Sequence, residues 1–234
     1  MNILFNSIVK IKINEDLATG FFMKLKINEK HYNYLLTCNH VINEKDISKK
    51  IIIEISYGII DKEITKKFKL DKYERFIETF NSIDITLIEI LKKDDIPEDK
   101  YLLPDLNYKN GYNYYIKKNF YLAGYPSSET HKRERCISSG QITKIVDNLE
   151  FEHSLDTRHG SSGSPICLIE NKCIIGIHKG GSKDSPINYG SFIGYVIDVL
   201  ETKITKSKLD IIPGKEKSQI KICQKCGEFM KFYI

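Results

Sequence analysis

The stretch Asp156-Thr157-Arg158-His159-Gly160-Ser161-Ser162-Gly163-Ser164-Pro165 constrains this chain more than any other. Ser162 stands in the frame Gly-x-Ser-Gly-Ser-Pro, and Ile166-Cys167-Leu168-Ile169 follows as an apolar strand. A serine hydroxyl alone is a weak nucleophile. To attack a carbonyl it needs a base beside it and backbone N–H groups aimed at the developing oxyanion. Glycine lets the backbone turn successive N–H groups toward one point and lets substrate come close. The frame therefore holds the parts of a nucleophile, Ser162, and of an oxyanion hole, the N–H groups of Gly160 and Ser162. Taken alone it is equally an ordinary Ser/Gly turn before a strand. The decision rests on whether a histidine and a carboxylate stand elsewhere in matching contexts.

Both do. Leu35-Leu36-Thr37-Cys38-Asn39-His40 ends an apolar strand on a histidine, and Ser82-Ile83-Asp84-Ile85-Thr86-Leu87 puts an aspartate at the head of an alternating strand. With these residues the chain resembles the trypsin/chymotrypsin-like serine peptidase superfamily. His40 stands at the histidine of its Thr-Ala-x-His frame, Asp84 in its Asp-Ile-Thr-Leu frame and Ser162 in its Gly-x-Ser-Gly-Ser-Pro frame. The order His, Asp, Ser is that of chymotrypsin-type enzymes rather than subtilisins or α/β-hydrolases. The resemblance covers roughly residues 7–204. It implies an all-β fold of two six-stranded antiparallel β-barrels with a C-terminal helix. It also implies roles: Ser162 attacks, His40 shuttles the proton and Asp84 orients His40.

The rest of the chain is read against that architecture. Ile8–Ile13, Leu17–Leu25, His31–Thr37, Ile51–Ser56, Ile64–Leu70 and Ile83–Leu91 alternate as strands, with a helical turn in 43–50. Lys92–Asn113, with Pro97, Pro104 and Gly111, reads as the connection between barrels. The second half offers Asn119–Gly124, Ile137–Val146, Leu149–Ser154, Pro165–Ile169, Cys173–His178 and Phe192–Val196 as strands, then a helix over Ile197–Ile204. The domains expected are thus 1–100 with His40 and Asp84, 101–204 with Ser162, and a Lys-rich tail, 205–234.

Specificity has two readings. Asp156, six residues before Ser162, stands where trypsin-like enzymes carry the carboxylate that pairs with Arg or Lys. Asp156-Thr157 and Ile175-Gly176-Ile177-His178-Lys179-Gly180-Gly181 also resemble glutamyl endopeptidases and their intracellular relatives, in which a histidine and a threonine bind an acidic side chain. The second reading is preferred, with Thr157 and His178 as its substrate residues, and it requires Asp156 to point away. Gly180-Gly181 would let a peptide add as an antiparallel strand. His31, His131, His153 and His159 show no metal-ligand spacing and read as surface or loop residues, His159 nearest the cleft.

Ser161 occupies the position at which clip-activated zymogens carry an aspartate, so no N-terminal clip is expected. The sequence shows no signal peptide and no stretch of about 18 apolar residues that a membrane span needs. An intracellular, cytoplasmic protein with free thiols is expected. The excess of 36 basic over 31 acidic residues is small and spread along the chain. It makes no case for nucleic acid, and the Lys-rich segment 203–225 reads as solvated surface. Cys223-Gln224-Lys225-Cys226 supplies half of a zinc ligand set with no second pair, so neither metal nor cofactor is expected. The partner expected is a protein or peptide substrate. The alternative reading keeps the fold and the peptide but not the turnover, as a catalytically silent peptide-binding pseudoprotease.

Overall fold

The computed structural model describes residues 2–14, 16–58, 62–126, 134–182, 187–209, 220–222 and 229–231. The chain divides into two compact units, Met1–Ile197 and Asp198–Ile234. The first unit holds both large sheets.

A short helix α1 (Asn2–Ser7) leads into β1 (Ile8–Ile13), β2 (Asp16–Ile27) and β3 (Lys30–Cys38). The helix α2 (Glu44–Ser48) precedes β4 (Ile52–Tyr57), β5 (Ile64–Lys69), β6 (Ile77–Phe80) and β7 (Ile85–Glu89). Together they form one antiparallel seven-stranded sheet in the order β5-β4-β1-β2-β3-β7-β6. The period-two alternation of each strand decides which face packs inward. Val9, Ile11 and Ile13 of β1 meet Ile53, Ile55 and Tyr57 of β4 in a core with Phe22, Leu35 and Ile88. The sequence places one strand over 83–91. The chain instead spends Asn81–Ile83 in a 3-10 turn, sets Asp84 in the left-handed region (φ 54°, ψ 44°) and starts β7 at Ile85. The seventh strand, β6, is not among the six strands read from the first half of the sequence.

Lys92–Asn113 carries short 3-10 helices. Single bridges also tie it to both sheets, Met23 with Leu102 and Pro104 with Ile174. The second sheet closes into a six-stranded barrel from β8 (Asn119–Gly124), β9 (Cys136–Ile145), β10 (Glu150–His153), β11 (Pro165–Leu168), β12 (Ile174–Gly181) and β13 (Asn188–Phe192). Phe151 fills the barrel between β12 and β13, where Gly176 and Gly190 leave room for its ring. The last strand runs over Asn188–Phe192 rather than 192–196, because helix α3 (Gly194–Leu209) already begins at Gly194. The expected chymotrypsin-like architecture with a C-terminal helix is therefore present. Its second half is a closed six-stranded barrel and its first half a sheet with unpaired ends. Within the second unit, Ile220–Ile222 and Phe229–Lys231 pair as a two-stranded ladder. Among the described residues no helix is long and apolar enough to cross a membrane.

Candidate active site

Strand register brings His40 and Asp84 together. In the β3–β7 ladder Thr37 faces Thr86 and Cys38 faces Ile85, so the residues just beyond the ladder meet at one end of the sheet. The turn after β3 is closed by the N–H groups of Val41 and Ile42 on the Cys38 carbonyl. It is held from β7 by Asn39 Nδ2 on Thr86 Oγ1 at 3.0 Å, while Thr86 Oγ1 donates to the Ile42 carbonyl at 2.6 Å. Asp84 grips His40 at two points. Its Oδ1 accepts the His40 backbone N–H at 2.8 Å, and its Oδ2 lies 2.7 Å from His40 Nδ1. The carboxylate accepts, so the proton of this contact sits on His40 Nδ1 and Nε2 is the nitrogen not held by Asp84. The left-handed backbone of Asp84 costs on the order of 1–2 kcal/mol. It is held by the Asn39 N–H on the Asp84 carbonyl at 3.0 Å. Ser191 Oγ of β13 donates to the neighbouring Ile83 carbonyl.

Ser162 arrives from the other sheet, and Thr19 of β2 fixes its loop. The Thr19 N–H donates to the Ser162 carbonyl at 3.1 Å, and Thr19 Oγ1 donates to the Gly160 carbonyl at 2.9 Å while accepting the Tyr125 N–H. Thr37 Oγ1 in turn donates to the Thr19 carbonyl. On the barrel side the Gly163 N–H donates to the His178 carbonyl and the His178 N–H to the Ser164 carbonyl. Gly160 and Gly163 have φ of 87° and 88°, the left-handed region that glycine tolerates. Among the described residues neither the Gly160 nor the Ser162 N–H is bonded to a backbone acceptor. Ser162 Oγ donates to the Lys179 carbonyl at 3.1 Å.

One cleft of about 540 Å³ is lined by His40, Ser162, Thr157, His159, His178, Gly180 and Gly181, among others. Asp156 does not line it. This exposed aspartate lines an adjoining cavity with Leu122, Cys136 and Ser161, and Thr157 and Arg158 line both. Thr157 lines the cleft, with its hydroxyl donating to Asn188 Oδ1 at 2.7 Å. Beyond Ile177, β12 has no β11 partner, and a Cβ on Gly180 would meet nothing within 4 Å, so this edge is open.

His153 is not a surface residue. It is buried on β10 with its ring against that of His178, and Nε2 lies 3.2 Å from His178 Nδ1. Burial lowers the pKa of His153 to about 4 and that of His178 to about 3, the latter aided by the neighbouring histidines. Both rings are therefore neutral at pH 7. His153 Nδ1 accepts the Leu155 N–H at 3.3 Å, and the Tyr189 backbone bonds to both rings. His178 is thus a buried, neutral imidazole in the wall of the cleft. Sequence reasoning missed His153 and Thr19. Thr19 lies in the Thr-Gly-Phe run of β2 and was visible only as part of a strand. His159 lines the cleft as expected, His31 is exposed, and His131, Cys223 and Cys226 lie outside the described residues. Among the described residues Cys38, Cys136, Cys167 and Cys173 are free thiols.

Residues 18–177 match the family model described as the trypsin-like peptidase domain. The chain belongs to that family. That family is one of serine-protease-type peptidases, which act on proteins or peptides. A search of curated proteins found no match. Solved structures share the fold at low identity. A serine endoprotease from Yersinia pestis superposes with a TM-score of 0.60 at 15% identity, over 88% of this chain and 65% of that one. This chain thus spans about two thirds of that protein's length. A Glu endopeptidase gives 0.57 at 17% identity, over 87% and 91%. The active form of an M. tuberculosis protease gives 0.57 at 15%, over 92% and 84%.

Proposed function

We propose that the chain is a serine endopeptidase that works through His40, Asp84 and Ser162 and prefers an acidic residue before the scissile bond. Ser162 Oγ attacks the carbonyl carbon as His40 Nε2 takes its proton. The oxyanion is held by the N–H groups of Gly160 and Ser162. Collapse breaks the C–N bond, His40 returns the proton to the leaving amine, and an acyl ester remains on Ser162. Water, deprotonated by the same His40, then releases the acid. Asp84 keeps His40 in the tautomer that can accept, and this two-point grip in a cleft shared with Ser162 is the observation that carries the reading. In the resting state Ser162 Oγ donates to the Lys179 carbonyl, a hydrogen bond that attack must break.

The acidic preference rests on His178 and Thr157, which line the same cleft as Ser162, His178 as a buried imidazole that is neutral at pH 7. The domain division at about residue 100 goes with this reading, since His40 and Asp84 come from one sheet and Ser162 from the other. The Ser162–Lys179 hydrogen bond also favours one alternative, a fold that holds peptide without turning it over.

A fluorophosphonate probe separates the two, since it reacts only with an activated serine. Labelling mapped to Ser162 and absent from Ser162→Ala supports the endopeptidase. A folded chain that takes no label is the pseudoprotease. With label present, a peptide library should favour Glu or Asp before the cut, and His178→Ala should reduce kcat/KM for such peptides by about 10²-fold, as loss of a charge-assisted hydrogen bond implies. An unchanged preference in His178→Ala sinks the acidic reading alone.

A further inference from the structure

Cys38 takes no part in the reaction above, yet it lies directly beneath it. Its side chain is fully buried at the end of β3, two residues before His40. The Cys38 Sγ, a His40 ring nitrogen and an Asp84 carboxylate oxygen all lie within 4.8 Å of one another. We propose that Cys38, His40 and Asp84 form a site for a soft divalent cation, Zn²⁺, whose occupancy shuts the cleft's chemistry off.

The donor set selects the metal. Thiolate, imidazole and carboxylate together suit Zn²⁺ or Cd²⁺, whereas Mg²⁺ and Ca²⁺ take all-oxygen ligands. Tetrahedral zinc with bonds of about 2.0–2.3 Å sets ligand atoms roughly 3.2–3.8 Å apart. His40 Nδ1 and Asp84 Oδ2, now 2.7 Å apart, must open by about half an ångström, and the sulfur must draw in. The fourth position faces the cleft, on the side of the exposed His40. Charge closes as well, since one thiolate and one carboxylate balance the dication and no net charge is buried.

Cys38 now donates to the His178 carbonyl at 3.2 Å. That carbonyl keeps the Gly163 N–H when the thiol leaves. Burial first, and the charge of Asp84 next, hold the thiol well above its ordinary pKa. A cation between sulfur and carboxylate opposes both effects.

The proton balance explains the inhibition. Binding forms S–Zn, N–Zn and O–Zn bonds. The thiol proton goes to solvent. The imidazole proton leaves Nδ1 for Nε2, so the ring stays neutral. His40 Nε2 then donates and can no longer take a proton from Ser162. This loss of turnover rests on the proposed roles of His40 and Ser162, whereas the metal site does not.

The test therefore has two readouts. In a full chain carrying Ser162→Ala, Cys223→Ser and Cys226→Ser, Cd²⁺ should raise a thiolate-to-metal ultraviolet band that saturates at one equivalent and ignores excess Mg²⁺. Cys38→Ala in the same background should abolish it, and His40→Ala should weaken binding by about tenfold or more. In the unmutated chain Zn²⁺ should suppress fluorophosphonate labelling of Ser162 at least tenfold, with a chelator restoring it, while Cys38→Ala is labelled equally with and without zinc. A band that survives Cys38→Ala, or a Cys38→Ala chain as zinc-sensitive as the native one, overturns the proposal. Should Cys38→Ala fold poorly, Cys38→Ser preserves the volume and must also lose the band. If the metal-free native chain resists the probe, the catalytic reading fails and the cadmium band still decides the site.

Discussion

A Cβ on Gly163 would stand 1.9 Å from the Thr19 carbonyl oxygen and 2.6 Å from Thr37 Oγ1. The first of these is backbone of a central strand and cannot swing away. The residue also has φ 88°, where an L side chain is strained. Gly163→Ala must therefore push the nucleophile loop off β2, breaking the Thr19–Ser162 tie that sets Ser162. Strain and overpacking together cost about 3 kcal/mol or more. The expected result is a melting temperature lower by roughly 6–12 °C and labelling of Ser162 reduced at least about 10²-fold. Native-like labelling would mean that the loop is not held by this contact. At this scale much of the site was legible, because an oxyanion turn, a histidine after a strand and an aspartate before one are each local patterns. Asp156 and His153 were not. Whether an aspartate six residues from the nucleophile enters the cleft depends on how the loop turns. Whether a histidine is buried depends on a strand 25 residues away.

The barrel elements carry a tight exchange of volume. Phe151 of β10 packs at a tilt against Phe192 of β13 with ring centroids 4.5 Å apart. A Cβ on Gly190 would lie 2.4 Å from Phe151 Cζ. Gly190→Ala should therefore destabilise by about 1–3 kcal/mol through overpacking. Phe151→Leu, which removes the colliding atoms, should cost a similar amount alone through lost packing. Combined, the two should cost at least about 1 kcal/mol less than the sum of the singles in urea denaturation. Simple additivity would show that the glycine is not there to admit the ring. Most strands could be read from alternation because one face of each is apolar. The strand β6 escaped, being four residues long at the sheet edge with Glu78 and Thr79 half-exposed in its middle. The start of α3 was misplaced because Phe192 and Val196 are both buried, one from a strand and one from a helix.

Acid sensitivity belongs to the whole molecule, since His153 and His178 join separate strands of the closed barrel and sit under its cleft. Their folded pKa values, about 4 and about 3, lie below the unfolded value of 6.5. Above pH 6.5 both are neutral in both states, and stability is at its plateau. As pH falls below 6.5 the unfolded chain takes up protons that the folded chain refuses, so stability drops, and it continues to drop until the folded chain titrates near pH 4 and pH 3. Among the described residues Asp71 is the carboxylate held well below its ordinary range, at about 2, by Lys50, the Tyr73 N–H and Lys69. Its contribution is lost only below the ordinary carboxylate range, so the window from pH 7.5 to pH 5.5 isolates the histidines. There each histidine can remove up to about 1.4 kcal/mol per pH unit below 6.5, or on the order of 2–3 kcal/mol for the pair at pH 5.5. Thermal melts should show a midpoint lower by roughly 4–12 °C at pH 5.5 than at pH 7.5. His153→Gln, which keeps a polar side chain that does not titrate, should halve that slope. An acidic peptide held by the neutral His178 ring should protect the native chain at both pH values, and protection unchanged in His178→Ala would place the acidic side chain elsewhere. A melt flat from pH 7.5 to 5.5 would mean that the pair is hydrated rather than buried in the barrel.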